Sequence, residues 1–277
     1  MYKPLANIKV LTLALNIPGP LVAKRLQELG ASVIKVEPPQ GDPFQQYCFG
    51  WYQEMKAGQE LKCIDLKSSE GIDELHSLLA STDLLLTAQR PAALDRLGLD
   101  WKNLSTRHPK LNHLAIVGYP HPLQNHAGHD LTYQASLGLI DPPQMPKTLI
   151  ADLAGAGQAA CQALALLMGS LAGQAGQQAF IALSDAAEYM AQPVKWGITT
   201  GNGLLGGALP EYALYETQSG WVAIAAIEPH FKKRLKEALE LDELSKPALS
   251  LKMKQRSADE WARWANELDI PLLKLKI

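Results

Sequence analysis

The sequence predicts an α/β fold, a doubly wound and mostly parallel sheet followed by a smaller second domain. Three observations carry this. Short β-rich runs alternate with helical patterns from residue 8 to residue 183. The first strand–helix–strand unit closes within about thirty residues, a crossover length that makes its two strands parallel. A glycine-dense stretch, Thr199–Gly207, then separates this pattern from a hairpin-and-helix pattern. At 277 residues the chain can form one large or two modest domains, and 47% hydrophobic residues can fill their cores.

Each element has a local reason. Ile8–Leu15 is an apolar, β-rich run stopped by Asn16-Ile-Pro-Gly-Pro20. Pro20 suits a first helical turn, where its missing N–H costs nothing. Leu21, Leu26 and Leu29 recur at helical spacing until Gly30, and Ser32–Glu37 is the second strand, ended by Pro38-Pro39. Strands are expected again at 61–66, 83–87 and 111–119. Helices are expected after a Ser68 or Ser69 cap and over 91–97. Ligands of such sheets sit at the carboxyl ends of the strands, so the loops near 16–20, 37–44, 87–91 and 117–129 are the expected floor of a site. A short helix follows at 130–139, and a long apolar one at 152–171. A strand at 178–183 and a helix at 185–196, broken near Pro193, complete the large domain. Past the glycines, 212–217 and 221–227 pair through Ser219-Gly220 as a hairpin. Pro229 opens a helix to about 241, 246–256 is a polar connector, and Ser257-Ala-Asp-Glu260 is a capping box for a helix holding Trp261 and Trp264. The domains are therefore expected at 1–200 and 201–269, with a terminal strand at 270–277.

Composition excludes several function classes. The net charge is −2 with mixed signs throughout, so no basic face points to nucleic acid or an anionic membrane. Cys48, Cys63 and Cys161 are odd in number and have no metal-type spacing. Neither zinc nor a disulfide frame is expected, and a reduced cytoplasmic setting is. The start lacks the apolar core of a signal peptide, and the run 159–171 is short and mixed for a membrane span. There is no G-x-G-x-x-G, Walker loop, G-x-S-x-G elbow or HExxH.

The residues suited to chemistry cluster between Ala127 and Gly157. His129 reads either as a loop histidine beside a capping Asp130 or as a general acid–base, for which an imidazole is matched to neutral pH. Asp152 reads either as a helix cap or as a reactive carboxylate. Gly155 and Gly157 would let a ligand approach the backbone at the helix start. Glu228, before Pro229, suits a helix N-terminus by charge. Arg90 and Arg96 flank Pro91 and could hold a phosphate, or could be plain surface cations. His76, His108, His113, His121, His126 and His230 show no ligand spacing and read as surface or loop residues.

Longer runs carry a resemblance. Leu29-Gly-Ala-Ser-Val-Ile-Lys-Val-Glu-Pro-Pro-Gln-Gly-Asp-Pro43, Asp65-Leu-Lys67, Arg90-Pro91 with Arg96-Leu-Gly98, Ala127-Gly-His-Asp130 with Tyr133, Ala151-Asp152, Gly206-Gly-Ala208 and Ala226-Ile-Glu-Pro229 together resemble the class III CoA-transferase (CaiB/BaiF) family, and within it the α-methylacyl-CoA racemase branch. The resemblance implies a Rossmann-like CoA-binding large domain, a smaller α+β domain, a terminal strand at 270–277 as a shortened return to the large domain, and an interlocked homodimer. It implies an acyl-CoA thioester as ligand, coenzyme A entering as part of the substrate with no separate cofactor. It gives His129 and Asp152 as the two acid–base groups, Asp130 and Glu228 as their neighbours, and Arg90, Arg96 and Tyr119 as residues holding CoA. In transferase relatives the residue matching Asp152 is a nucleophile, and those relatives generally lack the histidine. The family's basic run aligns with Lys56-Ala-Gly58-Gln59-Glu60, where most of its cations are absent.

Overall fold

The computed structural model describes residues 2–276 and divides into two compact units, up to Ala191 and from Gln192 onward. The first holds a six-stranded, wholly parallel sheet. Its strands are β1 (Lys9–Thr12), β2 (Ser32–Glu37), β3 (Glu60–Cys63), β4 (Leu84–Thr87), β5 (Asn112–Val117) and β6 (Gln178–Ala182), in the order β3-β2-β1-β4-β5-β6. The order reverses between β1 and β4, and this switch point opens a crevice at the carboxyl ends of those strands.

Side-chain alternation sends the strands' residues to two cores. Val10, Leu84, Leu86 and Leu114 pack with α1 (Pro18–Glu28). Leu11, Leu13 and Leu85 face the other way. On that face lie Leu75 and Leu79 of the helix Ser69–Leu79, Leu94 of Pro91–Arg96 and Leu104 of Trp101–Arg107. With the short helices α2 (Phe44–Tyr47) and α3 (Phe49–Lys56) counted in chain order, these three are α4, α5 and α6. The caps follow the chemistry of the sequence: Ser68 Oγ accepts from Gly71 N–H at 3.0 Å, and Asp100 Oδ1 from Asn103 N–H at 3.1 Å. Helices α2, α3 and α6 were not expected from periodicity. Each is short, and its stability comes from tertiary packing.

After β5 come α7 (Asp130–Ser136), α8 (Ile150–Leu171) and, beyond β6, α9 (Leu183–Met190). Helix α8 begins two residues earlier than the apolar run suggested. Over its whole length it is long and apolar enough to cross a membrane, correcting the expectation of too short a segment. Ala156, Ala159, Ala160, Ala163, Leu166 and Leu167 on one of its faces join the core under the sheet. Gly155 is needed for packing: a Cβ there would lie 2.4 Å from Leu183 Cδ2 on α9. The ligand-approach role expected for Gly155 and Gly157 is therefore corrected. Neither lines the crevice, and Gly157 faces open space.

The end of β2 carries a buried ionic cluster. Lys35, 1% exposed, reaches Glu37 at 2.8 Å and Asp42 at 2.6 Å. Tyr52 Oη donates to Glu37 at 3.1 Å. Glu37, the last residue of β2, is thus a buried partner of Lys35 and Tyr52. Burial and the neighbouring Glu37 push the Tyr52 phenol up to about 12. Asp42 Oδ1 also accepts from the N–H groups of Asn16 and Phe44, both at 3.0 Å. Asn16 has φ 67°, a left-handed conformation that Asn tolerates better than most residues. The IKVEPP-QGDP stretch therefore anchors the two loops that flank the switch point.

The second unit pairs β7 (Tyr212–Glu216) with β8 (Trp221–Ala225) and β8 with β9 (Leu272–Lys274), all antiparallel. After the short α10 (Gln192–Lys195) its helices are α11 (Pro229–Ala238), α12 (Lys246–Met253) and α13 (Ala258–Glu267). Tyr215, Val222, Ile224, Leu235, Leu249, Met253, Trp261 and Leu272 form its core. The Ser257 capping box is present, with Ser257 Oγ accepting from Glu260 N–H at 3.3 Å. Three expectations are corrected. The division falls at 191/192, ahead of the glycine run. The connector 246–256 is largely helical, capped by Ser245. The terminal strand pairs inside the second unit and does not return to the first.

Candidate active site

The crevice at the switch point is a cavity of about 640 Å³. Its floor is the carboxyl-end loops of β1 (Leu15–Pro18), β4 (Ala88, Gln89, Arg90) and β5 (Ile116, Val117, Gly118), with Pro43, Phe44 and Tyr47 at one side. These are the loops that the strand pattern nominated. Gln89 braces the floor, its Nε2 donating to Leu13 O at 2.7 Å across the switch point.

His129 and Asp152 both line this cavity. His129 is the N-cap residue of α7, its backbone fastened by Thr132, whose Oγ1 accepts from His129 N–H at 3.0 Å. Asp130 is the first helical residue and not the cap. It is turned inward and 5% exposed. One carboxylate oxygen accepts from Gln134 Nε2, and the other accepts from the backbone N–H of Asp152 at 3.0 Å. Asp152 is likewise not a cap. It lies in the first turn of α8, whose N-cap is Leu149. Its amide is satisfied by Asp130, and its side chain is left to the cavity. Burial, and then the charge of Asp130, push the Asp152 carboxyl up to about 6. A helix N-terminus favours the ionised form, so at this position burial and like charge outweigh the helix. The result is a carboxyl that exchanges its proton near neutral pH.

Tyr133 forms the back wall. It is 1% exposed, its hydroxyl has no hydrogen-bond partner among the described residues, and its ring meets Tyr119 edge-on at 5.2 Å. The hydroxyl fits because Gly118 and Gly128 flank it. A Cβ on either would sit 2.6 or 2.4 Å away. Burial, and then Tyr119, Asp152 and Asp130, hold this phenol up at about 12.

The other expected site residues separate. Arg90, at the N-cap of α5, is the only Lys or Arg lining the cavity among the described residues. Arg96 is exposed at the far end of α5 and does not line it. Tyr119 stands behind Tyr133, outside the lining. Glu228 is the N-cap residue of α11 in the second unit, and it too is outside the lining. His126 is the exposed loop residue expected, and it also lines the cavity; it lies three residues before His129, and only its proximity to the AGHD run could have flagged it. His113 and His76 are buried, which corrects their reading as surface residues. His113 lies between Thr87 Oγ1 at 2.9 Å and Gln178 Nε2 at 3.0 Å, and burial lowers it to about 4. At 56–60, Lys56 lies over the Tyr52 ring and Glu60 pairs with Lys62, both outside the lining. A larger cavity of about 890 Å³, on the second unit's sheet, is lined by Tyr212, Leu214, Lys246 and Lys254 and contains no histidine. Among the described residues no cluster of three or more His, Cys, Asp or Glu could hold a metal ion.

Fold and site together define a doubly wound α/β protein with an imidazole and a carboxyl held above its ordinary range in one switch-point cavity. Residues 5–274 match the sequence profile of CoA-transferase family III, and the chain belongs to that family. It is 28% identical to the α-methylacyl-CoA racemase of Mus musculus, over 94% of this chain and 72% of that one. It is 32% identical to the cinnamoyl-CoA:phenyllactate CoA-transferase of Clostridium sporogenes, over 66% of this chain and 50% of that one. The crystal structure of a CaiB/BaiF family protein from Brucella suis superposes with a TM-score of 0.83 at 24% identity, covering 100% of this chain and 85% of that chain. That likeness concerns the fold.

Proposed function

We propose that this protein is an acyl-CoA racemase or epimerase acting at the α-carbon of a 2-methylacyl-CoA thioester. The observation that carries the reading is the placing of His129 and Asp152 in one cavity, with Asp152 raised to about 6. A thioester carbonyl acidifies the adjacent C–H. One of the two groups takes that proton, and the bonding pair moves into the thioester as an enolate. The other group returns a proton to the opposite face, so nothing is oxidised or reduced. Histidine and a carboxyl titrating near neutrality are both matched to this task. Coenzyme A enters as part of the substrate with no further cofactor, and Arg90 is the cation at the cavity to receive one of its phosphates. The interlocked homodimer and a cytoplasmic setting belong to the same reading. In such a dimer Glu228 would act from the small domain.

The likeness to a CoA-transferase favours a second reading, in which Asp152 attacks the thioester carbonyl and thiolate leaves. The two are separated by incubating a 2-methylacyl-CoA in deuterium oxide. The racemase reading expects deuterium at the α-carbon, lost in H129A and in D152A. Exchange persisting in both variants would sink it. Acyl transfer between two thioesters, with Asp152 trapped as a covalent adduct, would establish the second. Absence of any CoA thioester binding would reject both and leave a non-catalytic member of the family.

A further inference from the structure

Gln134 is wholly buried on α7, one turn beyond Asp130. Its Nε2 donates twice, to Asp130 Oδ1 and to the backbone carbonyl of Thr148 at 3.0 Å. Thr148 immediately precedes α8, and Asp130's second oxygen accepts from Asp152 N–H inside that helix. One amide nitrogen thus ties the start of α7, where His129 stands, to the start of α8, where Asp152 stands. Gln134 Oε1 is buried and has no partner among the described residues. The amide cannot be reversed to relieve this, because Oε1 would then face a carboxylate and a carbonyl, both acceptors. An apolar side chain of the same shape would avoid the unpaired oxygen altogether.

We propose that Gln134 is a positioning residue for the acid–base pair: its amide holds Asp130 and the entry to α8 in one arrangement, fixing His129 relative to Asp152 and keeping Asp152 under Asp130's negative charge. The inference rests on the acid–base reading of the site. The charged and titratable groups at or beside that cavity are His129 at the N-cap of α7, Asp130 at its first residue, Tyr133 behind them, His126 from the preceding loop, Tyr47 from α2 and Arg90 from the start of α5. Among these, Asp130 is the charge that lifts Asp152.

The test reads Asp152 directly, in the resting full-length protein. The Asp152 carboxyl is followed by carbon-13 NMR of labelled aspartate against pH, with its signal assigned by its loss in D152N. The wild-type midpoint is expected at about 6. In Q134M the Asp130 carboxylate loses its donor and is freed or protonated, so the Asp152 midpoint should fall by about one pH unit. In Q134E a second carboxyl stands beside Asp130, and the midpoint should stay or rise. A folded Q134M with an unmoved midpoint overturns the proposal. Should Q134M not fold, a Q134E midpoint below wild type overturns it. If the wild-type protein exchanges the α-proton, Q134M should lower kcat about tenfold with KM little changed. A wild-type protein without exchange rejects the racemase reading and leaves the titration result to judge the role of Gln134 by itself.

Discussion

Two pairs of carboxylates stand in the first unit, Glu37, Asp42 and Asp130 buried and Asp152 half-buried, and they are treated in opposite ways. Glu37 and Asp42 share the ammonium of Lys35, and Tyr52 donates to Glu37 as well. Among the described residues no cation is bonded to the carboxylate of Asp130 or Asp152. Asp130 keeps its charge and is held by N–H donors, and Asp152 is lifted to about 6. The first arrangement holds loops, and the second holds a proton in reserve. On the proposed reading, ionic compensation distinguishes scaffold from chemistry, although both sets lie beside the same cavity.

Substitutions that reverse the treatment should show this, beginning with the largest effect. Asp152→Asn should lower α-proton exchange about a thousandfold, equivalent to about 4 kcal/mol, read by deuterium incorporation under single-turnover conditions. Lys35→Met should destabilise the fold by about 3 kcal/mol in urea, because it leaves two buried carboxylates without their cation. The third prediction has the opposite sign. The Asp152 carboxyl is held above its free value of 3.8, so the native state binds that proton more tightly than the unfolded chain does. Its stabilising contribution is complete below about pH 4 and is lost as pH rises through about 6. Asp152→Asn should therefore stabilise the protein by about 2 kcal/mol at about pH 8, and not at all below about pH 4, in urea titrations at the two pH values. A destabilising Asp152→Asn at the higher pH would erase the contrast. The smallest change is Tyr52→Phe: about 1 kcal/mol lost in urea, since Glu37 keeps Lys35, with α-proton exchange unaltered.

Much of this was legible in the sequence, for definite reasons. Ser32–Glu37 was bounded to the residue, because Gly30 before it and Pro38-Pro39 after it are local signals. The Ser257 capping box was likewise local. His129 and Asp152 could be nominated because small residues and helix starts surround both. What stayed hidden depends on the third dimension. That Asp130 caps a helix other than its own, that Gln134 braces it, and that Lys35 pairs with Asp42 are facts of packing. The burial of His113 follows from its place in a central strand, and one polar residue in an apolar run does not announce its partners. Gly155 was misread because a close helix–helix contact and a ligand approach leave the same small residue.

The tie between α7 and α8 has a topological consequence. The connecting residues 138–147 are exposed for most of their length, while the two helix starts are joined beneath them by Gln134–Thr148 and Asp130–Asp152. The covalent path between His129 and Asp152 is therefore not the path that sets their spacing. A protease nick within 138–147 should leave exchange activity in place, and insertions there should be tolerated for the same reason. The peptide chain can be opened at the point where it links the two halves of the site, and the site should remain closed.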